Sequence, residues 1–177
     1  MKKESKTLVN TRRLVVSAIL SAVSFVIMYL GTLTGVMDLC AVVVGAVCCA
    51  FAVIELSGIW PWLVCAVTSV LCLVLLPDKF CALEYVALGG IYPILKSLFE
   101  RLPAAVSWTL KAIAFNLLLT ACLVVGKFIF GLKDEWVAFN IVVYLLGNIT
   151  FFIFDIALTT FISYYFKRLR GKLKIRF

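Results

Sequence analysis

Two stretches of this sequence, residues 14–30 and 59–77, contain no charged side chain. A membrane-spanning helix needs about 17–25 apolar residues, so each stretch is long enough to cross a bilayer. Hydrophobic residues make up 64% of the 177 residues and charged residues 15%, whereas about 25% of a soluble domain is charged. A soluble fold of this size cannot bury so much apolar surface, so we predict an integral membrane protein.

Charged residues, glycines and prolines divide the remaining chain into further apolar runs. We predict an all-α bundle of about six transmembrane helices with short loops, over residues 14–30, 36–54, 59–77, 79–98, 104–127 and 136–166. Connections of a few residues make consecutive helices antiparallel neighbours. The bundle forms one domain, residues 14–166, between basic tails at residues 1–13 and 167–177.

The distribution of Lys and Arg predicts the orientation of this bundle. Both tails are rich in basic residues, and Lys96 and Arg101 flank the connection between the fourth and fifth helices. Basic residues accumulate on the cytoplasmic side of membrane proteins. We therefore expect a cell-membrane protein with both termini in the cytoplasm. The formal net charge of +8 is explained by anionic lipid, and no nucleic-acid partner is needed.

The sequence carries no signature of an enzyme. It contains no histidine, which excludes His-dependent triads and HExxH zinc sites, and it has no P-loop or G-x-S-x-G motif. The seven cysteines lie in or beside apolar segments without a CxxC pair, so we interpret them as small apolar fillers. We expect no catalytic residue, no metal site and no cofactor.

Polar residues inside membrane helices are costly and are therefore candidates for function. At about 100° per residue, Asn140, Tyr144, Asn148 and Asp155 lie along one face of the sixth helix, and Phe151 lies on the same face. For the first three, helix–helix hydrogen bonding and ligand binding are both open interpretations. Asp155 is nearer the cytoplasmic end, where we expect a structural salt bridge with Lys111.

The fourth and fifth helices add further candidates. Asn116 lies near the middle of the fifth helix, and Glu84 lies near the outer end of the fourth. Together with Asn140, Tyr144 and Asn148, they form a hypothetical site for a small, polar, ring-bearing nutrient in the outer half. We expect Lys96 to extend its ammonium to the inner surface. Gly89-Gly90 and Pro93 weaken the backbone ladder, and such a segment either forms a simple kink or lines a cavity.

The first helix is preceded by a basic TRR and contains an A-x-x-x-A step, Ala18 to Ala22, within LVVSAILSAVSF. With six short-looped helices and two basic ends, the chain resembles the substrate-binding S components of energy-coupling factor (ECF) transporters. The resemblance implies a non-enzymatic subunit that captures a vitamin-like micronutrient from outside. It also implies docking, through Ala18 and Ala22, on a coupling membrane subunit with two ATPase subunits that hydrolyse ATP. In this family the ligand usually lies in the outer half, between helices four to six and under the loop that joins helices one and two.

Two other functions are compatible with the sequence. A non-transport scaffold resembling the MreD family of cell-shape proteins would explain the size and hydrophobicity without a ligand. A small secondary transporter would need a proton or sodium relay, for which Asp155 and Glu84 are the plausible carriers. The connection at Gly31 to Val36 is short for the lid of an S component, and no vitamin-specific signature is present.

The topology is the first testable prediction. A reporter that is active only in the cytoplasm, fused after Phe177, should be active, because the basic residues hold both ends inside. The matched fusion, at the same position, carries a reporter that is active only outside the cell. Activity of that second fusion would contradict either the even helix count or the orientation.

Overall fold

The computed structural model describes residues 2–35, 37–56, 58–128, 131 and 141–169. These residues form six helices and no strand, so the expected all-α fold is confirmed. The helices are α1 (Lys2–Thr34), α2 (Asp38–Glu55), α3 (Trp60–Leu75), α4 (Lys79–Phe99), α5 (Ala104–Phe128) and α6 (Ile141–Tyr164), the last continued by a π-helical turn, Tyr165–Leu169.

Five of these six helices are long and apolar enough to cross a membrane, which makes the chain a multi-pass membrane protein. The exception is α3, whose 16 residues span about 24 Å at 1.5 Å per residue. Prolines limit it at both ends: Pro61 lies in its first turn, and Pro77 follows its last residues.

The first helix is longer at both ends than the sequence predicts. The helix α1 begins at Lys2, so the basic residues of the predicted tail continue the helix, and no glycine or proline precedes Gly31. We expected a break at Gly31, and the helix instead continues to Thr34, whose hydroxyl donates to the Gly31 carbonyl at 2.6 Å. The turn comes at Gly35, which has a positive φ of 64°, a conformation that favours glycine.

The fourth helix is the most buried of the membrane spans. Its middle part, Tyr85–Ile91, is π-helical, a departure from the regular α-helical ladder in the segment where Gly89-Gly90 and Pro93 were predicted to weaken it. Cysteine thiols lie against two of its carbonyls: Cys49 Sγ is 3.4 Å from the Gly90 oxygen, and Cys122 Sγ is 3.5 Å from the Leu83 oxygen. Side chains from α2 and α5 thus lie against backbone carbonyls within and just before the π-helical segment of α4.

Glycines allow α4 to pack closely against its neighbours. The fully buried Tyr85 ring lies against Gly45 of α2, where a Cβ atom would be 2.7 Å from Tyr85 Cε2. A Cβ atom at Gly90 would be 2.6 Å from Cys65 Sγ of α3. These two close approaches hold α4 against α2 and α3.

Candidate functional site

A buried carboxylate, Asp155 of α6, joins three helices. Its Oδ1 atom accepts a hydrogen bond from the Tyr92 hydroxyl at 2.5 Å and another from the Lys96 ammonium, both on α4. Its Oδ2 atom accepts from Lys111 of α5 at 3.1 Å. The predicted salt bridge between Asp155 and Lys111 is thus confirmed. We call Tyr92, Lys96, Glu100, Lys111 and Asp155 the ion cluster.

The expectation that Lys96 reaches the inner surface is wrong. Its side chain is only 1% exposed, because Asp155 and the Thr159 hydroxyl, 2.8 Å away, accept from its ammonium inside the bundle. A lysine extends to the surface when no partner is available at its own depth. Here α6 supplies two partners.

Glu100 completes the charge balance of the ion cluster. Its Oε1 atom lies 2.9 Å from Lys96 Nζ and 3.4 Å from Lys111 Nζ, and its side chain is 41% exposed. Two ammonium groups therefore face two carboxylates, so the cluster carries no net charge. Balanced pairing with good hydrogen bonds is what makes buried charges tolerable.

The polar residues of α5 and α6 pair with one another. The side-chain amides of Asn116 and Asn148 exchange two hydrogen bonds of 3.0 Å each. Thr120 lies one turn after Asn116 on α5, and Tyr144 lies one turn before Asn148 on α6. Their hydroxyl groups are joined by a hydrogen bond of 3.0 Å. The geometry favours the helix–helix interpretation of these residues. Asn140 lies outside the described residues.

A cavity of about 270 Å³ lies between α2, α4, α5 and α6, at the end of the bundle where α1 connects to α2 and α3 to α4. Its lining is mainly apolar and includes three phenylalanines, Phe80, Phe115 and Phe151. Of the five predicted ligand residues, Glu84 lines this cavity, whereas Asn116, Tyr144 and Asn148 do not. A mostly apolar pocket with few polar groups is typical of small-molecule sites.

Sequence reasoning missed the aromatic wall of the cavity. Phe115 and Phe151 stack with a centroid distance of 4.3 Å and an angle of 14° between their planes. Tyr92 of the ion cluster meets Phe151 edge-on at 5.0 Å. The sequence places Phe151 on the polar face of α6, but phenylalanines are frequent in this chain, and no sequence signal singles out Phe80 or Phe115.

Glu84 is the charged residue among the described residues that line the cavity. Glu84 forms no ion pair or hydrogen bond with any residue that the structure describes, and its charged neighbours include Asp38 and Asp78. Lys79 is nearby in the sequence, but its ammonium donates to the carbonyls at the end of α3, at 2.9 Å to Leu73 and 2.8 Å to Leu76.

The A-x-x-x-A step of α1 points away from the bundle. Ala18 and Ala22 are exposed, whereas Ser17 and Ser21, one residue before each, are buried. This face of α1 is therefore open to lipid or to another protein.

Comparisons with protein-family models, characterised proteins and solved structures give no match. Within the described ranges, no group of three Cys, Asp or Glu side chains is placed to hold a metal ion. The features that bear on function are the cavity, the ion cluster and the exposed face of α1.

Removing the Asp155 charge tests the role of the ion cluster. Asp155→Asn should lower the free energy of unfolding by about 3–5 kcal/mol, because it leaves two buried lysines with insufficient counter-charge. Glu100→Gln, at the half-exposed edge of the same cluster, should cost no more than about 1 kcal/mol. Unfolding of purified protein in mixed micelles, followed by circular dichroism, measures both. Equal, small effects would show that the cluster does not stabilise the bundle.

Proposed function

We propose that this chain is the membrane-embedded substrate-binding subunit of an ECF-type importer for a small, vitamin-like micronutrient. In this proposal the chain itself is not an enzyme. A coupling membrane subunit and two ATPase subunits are its partners, and ATP hydrolysis takes place in the ATPases.

The cavity carries the proposal. It lies among α4, α5 and α6, near the connection between α1 and α2, which is where the family resemblance puts the ligand. Glu84, on its wall, supplies a polar group in an otherwise mostly apolar lining. With cytoplasmic termini, as the basic residues predict, this end of the bundle faces the outside, so the cavity is placed to receive a nutrient.

The exposed face of α1 supports the same function. Ala18 and Ala22 leave a shallow, small-residue surface, and such surfaces let the backbones of two membrane helices approach closely. A binding subunit that cannot transport alone needs such a docking face for its coupling subunit.

The alternatives account for fewer of these features. A scaffold subunit has no use for a cavity with a carboxylate on its wall. A secondary transporter needs a relay of proton or sodium carriers. Asp155 is held by Tyr92, Lys96 and Lys111 together, which leaves Glu84 alone of the two predicted carriers.

Filling the cavity tests the binding function. Ala87 is buried and lines the cavity, so Ala87→Phe places a ring where the ligand would lie. We expect the variant to lose at least about nine-tenths of the small molecule that copurifies with the wild-type protein, because overpacking excludes it. Extraction of purified protein and mass spectrometry measure the loss.

The matched control is Ala66→Phe, which adds the same ring at an exposed position of α3. It should retain the copurifying molecule at the wild-type level. If Ala87→Phe also retains it, or if the wild-type protein carries and rebinds no small molecule, the proposed function is wrong.

Bulk on the α1 face tests coupling. Replacing Ala18 or Ala22 by Leu should abolish copurification with a coexpressed coupling subunit and reduce uptake about tenfold or more, because the added side chain keeps the helices apart. Binding to the isolated protein should persist. Ala66→Leu is the control, and an intact complex in both α1 variants would show that this face is not the interface.

A further inference from the structure

We infer that the cavity selects a small organic cation, namely a protonated or quaternary amine carried by one or two rings. This inference rests on the proposed function, since it assumes that the cavity holds a ligand. It adds the charge and the size of that ligand, which the family resemblance does not specify.

The first argument is the unbalanced charge of Glu84. Among the described residues that line the cavity it is the charged one, and no described side chain donates to its carboxylate. A carboxylate in apolar surroundings is costly unless a counter-charge is supplied. A cationic ligand supplies that counter-charge only when it is bound, which makes the charge of the ligand a basis for selection.

The lysines inside the bundle are committed elsewhere. Lys96 and Lys111 are held by Asp155 and Glu100 in the ion cluster. The Lys79 ammonium is bound to carbonyls at the end of α3. In the described part of the chain, none of these three ammonium groups pairs with Glu84, so they leave its carboxyl group available to a ligand.

The second argument is the aromatic lining. Cations bind to the faces of aromatic rings, and several rings around a cation form the cages that recognise quaternary amines. Phe80 comes from α4, Phe115 from α5 and Phe151 from α6, so the rings line the cavity from three helices. With Glu84 on the same wall as Phe80, the lining combines rings and a carboxylate, the two kinds of group that bind an organic ammonium ion.

The surroundings favour the same charge. Asp38 and Asp78 act electrostatically on Glu84 without lining the cavity themselves, and acidic groups near a pocket attract cations and repel anions. A volume of about 270 Å³ is near the lower end of the ~300–1,000 Å³ that is usual for ligand pockets. It suits a ligand of one or two rings and is too small for a nucleotide-sized cofactor.

Three probes of similar size separate charge from shape. They are benzyltrimethylammonium, its neutral carbon isostere neopentylbenzene, and the anion phenylacetate. Each is titrated into wild-type protein in nanodiscs of zwitterionic lipid, after removal of copurifying molecules, and heat or intrinsic fluorescence is recorded. We expect the cation to bind at least about tenfold more tightly than the isostere, and phenylacetate not to bind.

Two variants assign the preference to Glu84. Glu84→Gln keeps the size and polarity of the side chain but removes its charge, so the affinity for the cation should fall several-fold toward that for the isostere, and the preference that remains is the contribution of the rings. Glu55→Gln, whose carboxylate accepts from Tyr165 at the opposite end of the bundle, should bind the cation like the wild type.

Every other result of these titrations counts against the inference that the ligand is a cation. Equal binding of the cation and the isostere, preferred binding of phenylacetate, or binding of none of the probes would overturn the inference, as would a copurifying molecule that is neutral or anionic. None of these results affects the proposed function if Ala87→Phe still expels the copurifying molecule. Retention of that molecule by Ala87→Phe would instead reject the proposed function itself.

Discussion

The Asp155 carboxylate is the interaction on which the arrangement of α4, α5 and α6 depends. Apolar side chains are as well solvated by lipid as by one another, so apolar contacts alone specify helix pairing weakly in a membrane. Asp155 provides specificity, because its two oxygens accept from groups on two other helices, Tyr92 and Lys96 on α4 and Lys111 on α5. Glu100 balances the second positive charge at the exposed edge.

The ion cluster and the cavity are joined through aromatic rings. Tyr92 donates to Asp155 and meets Phe151 edge-on, and Phe151 stacks on Phe115. Phe115 and Phe151 also line the cavity. The ionic contacts that hold the three helices together thus fix the rings on the cavity wall, and the Asn116–Asn148 amide pair links α5 and α6 a second time.

Features that depend on one helix were predictable, and features that depend on the register between helices were less so. The uncharged stretches between charged residues predicted six helices. The similar depth of Asp155 and Lys111 in the membrane predicted that these two residues pair. The burial of Lys96 was missed because it depends on acceptors that α6 supplies. The polar face of α6 was visible in the sequence, but only the packing shows that Asn148 meets Asn116 and that Glu84 and Phe151 share a cavity. The place of Asn140 on that face stays a prediction.

The π-helical segment of α4 sets the rotational phase between its two ends. Glu84 precedes Tyr85–Ile91 and reaches the cavity, whereas Lys96 follows that segment and reaches Asp155. Each residue of an α-helix turns the chain by about 100°, so losing one residue from this segment would rotate one end against the other by about that angle. The helix would remain continuous and equally apolar, yet Glu84 and Lys96 could no longer both face their present neighbours. The extra backbone of this wide turn is thus what allows a single helix to serve both the cavity and the ion cluster.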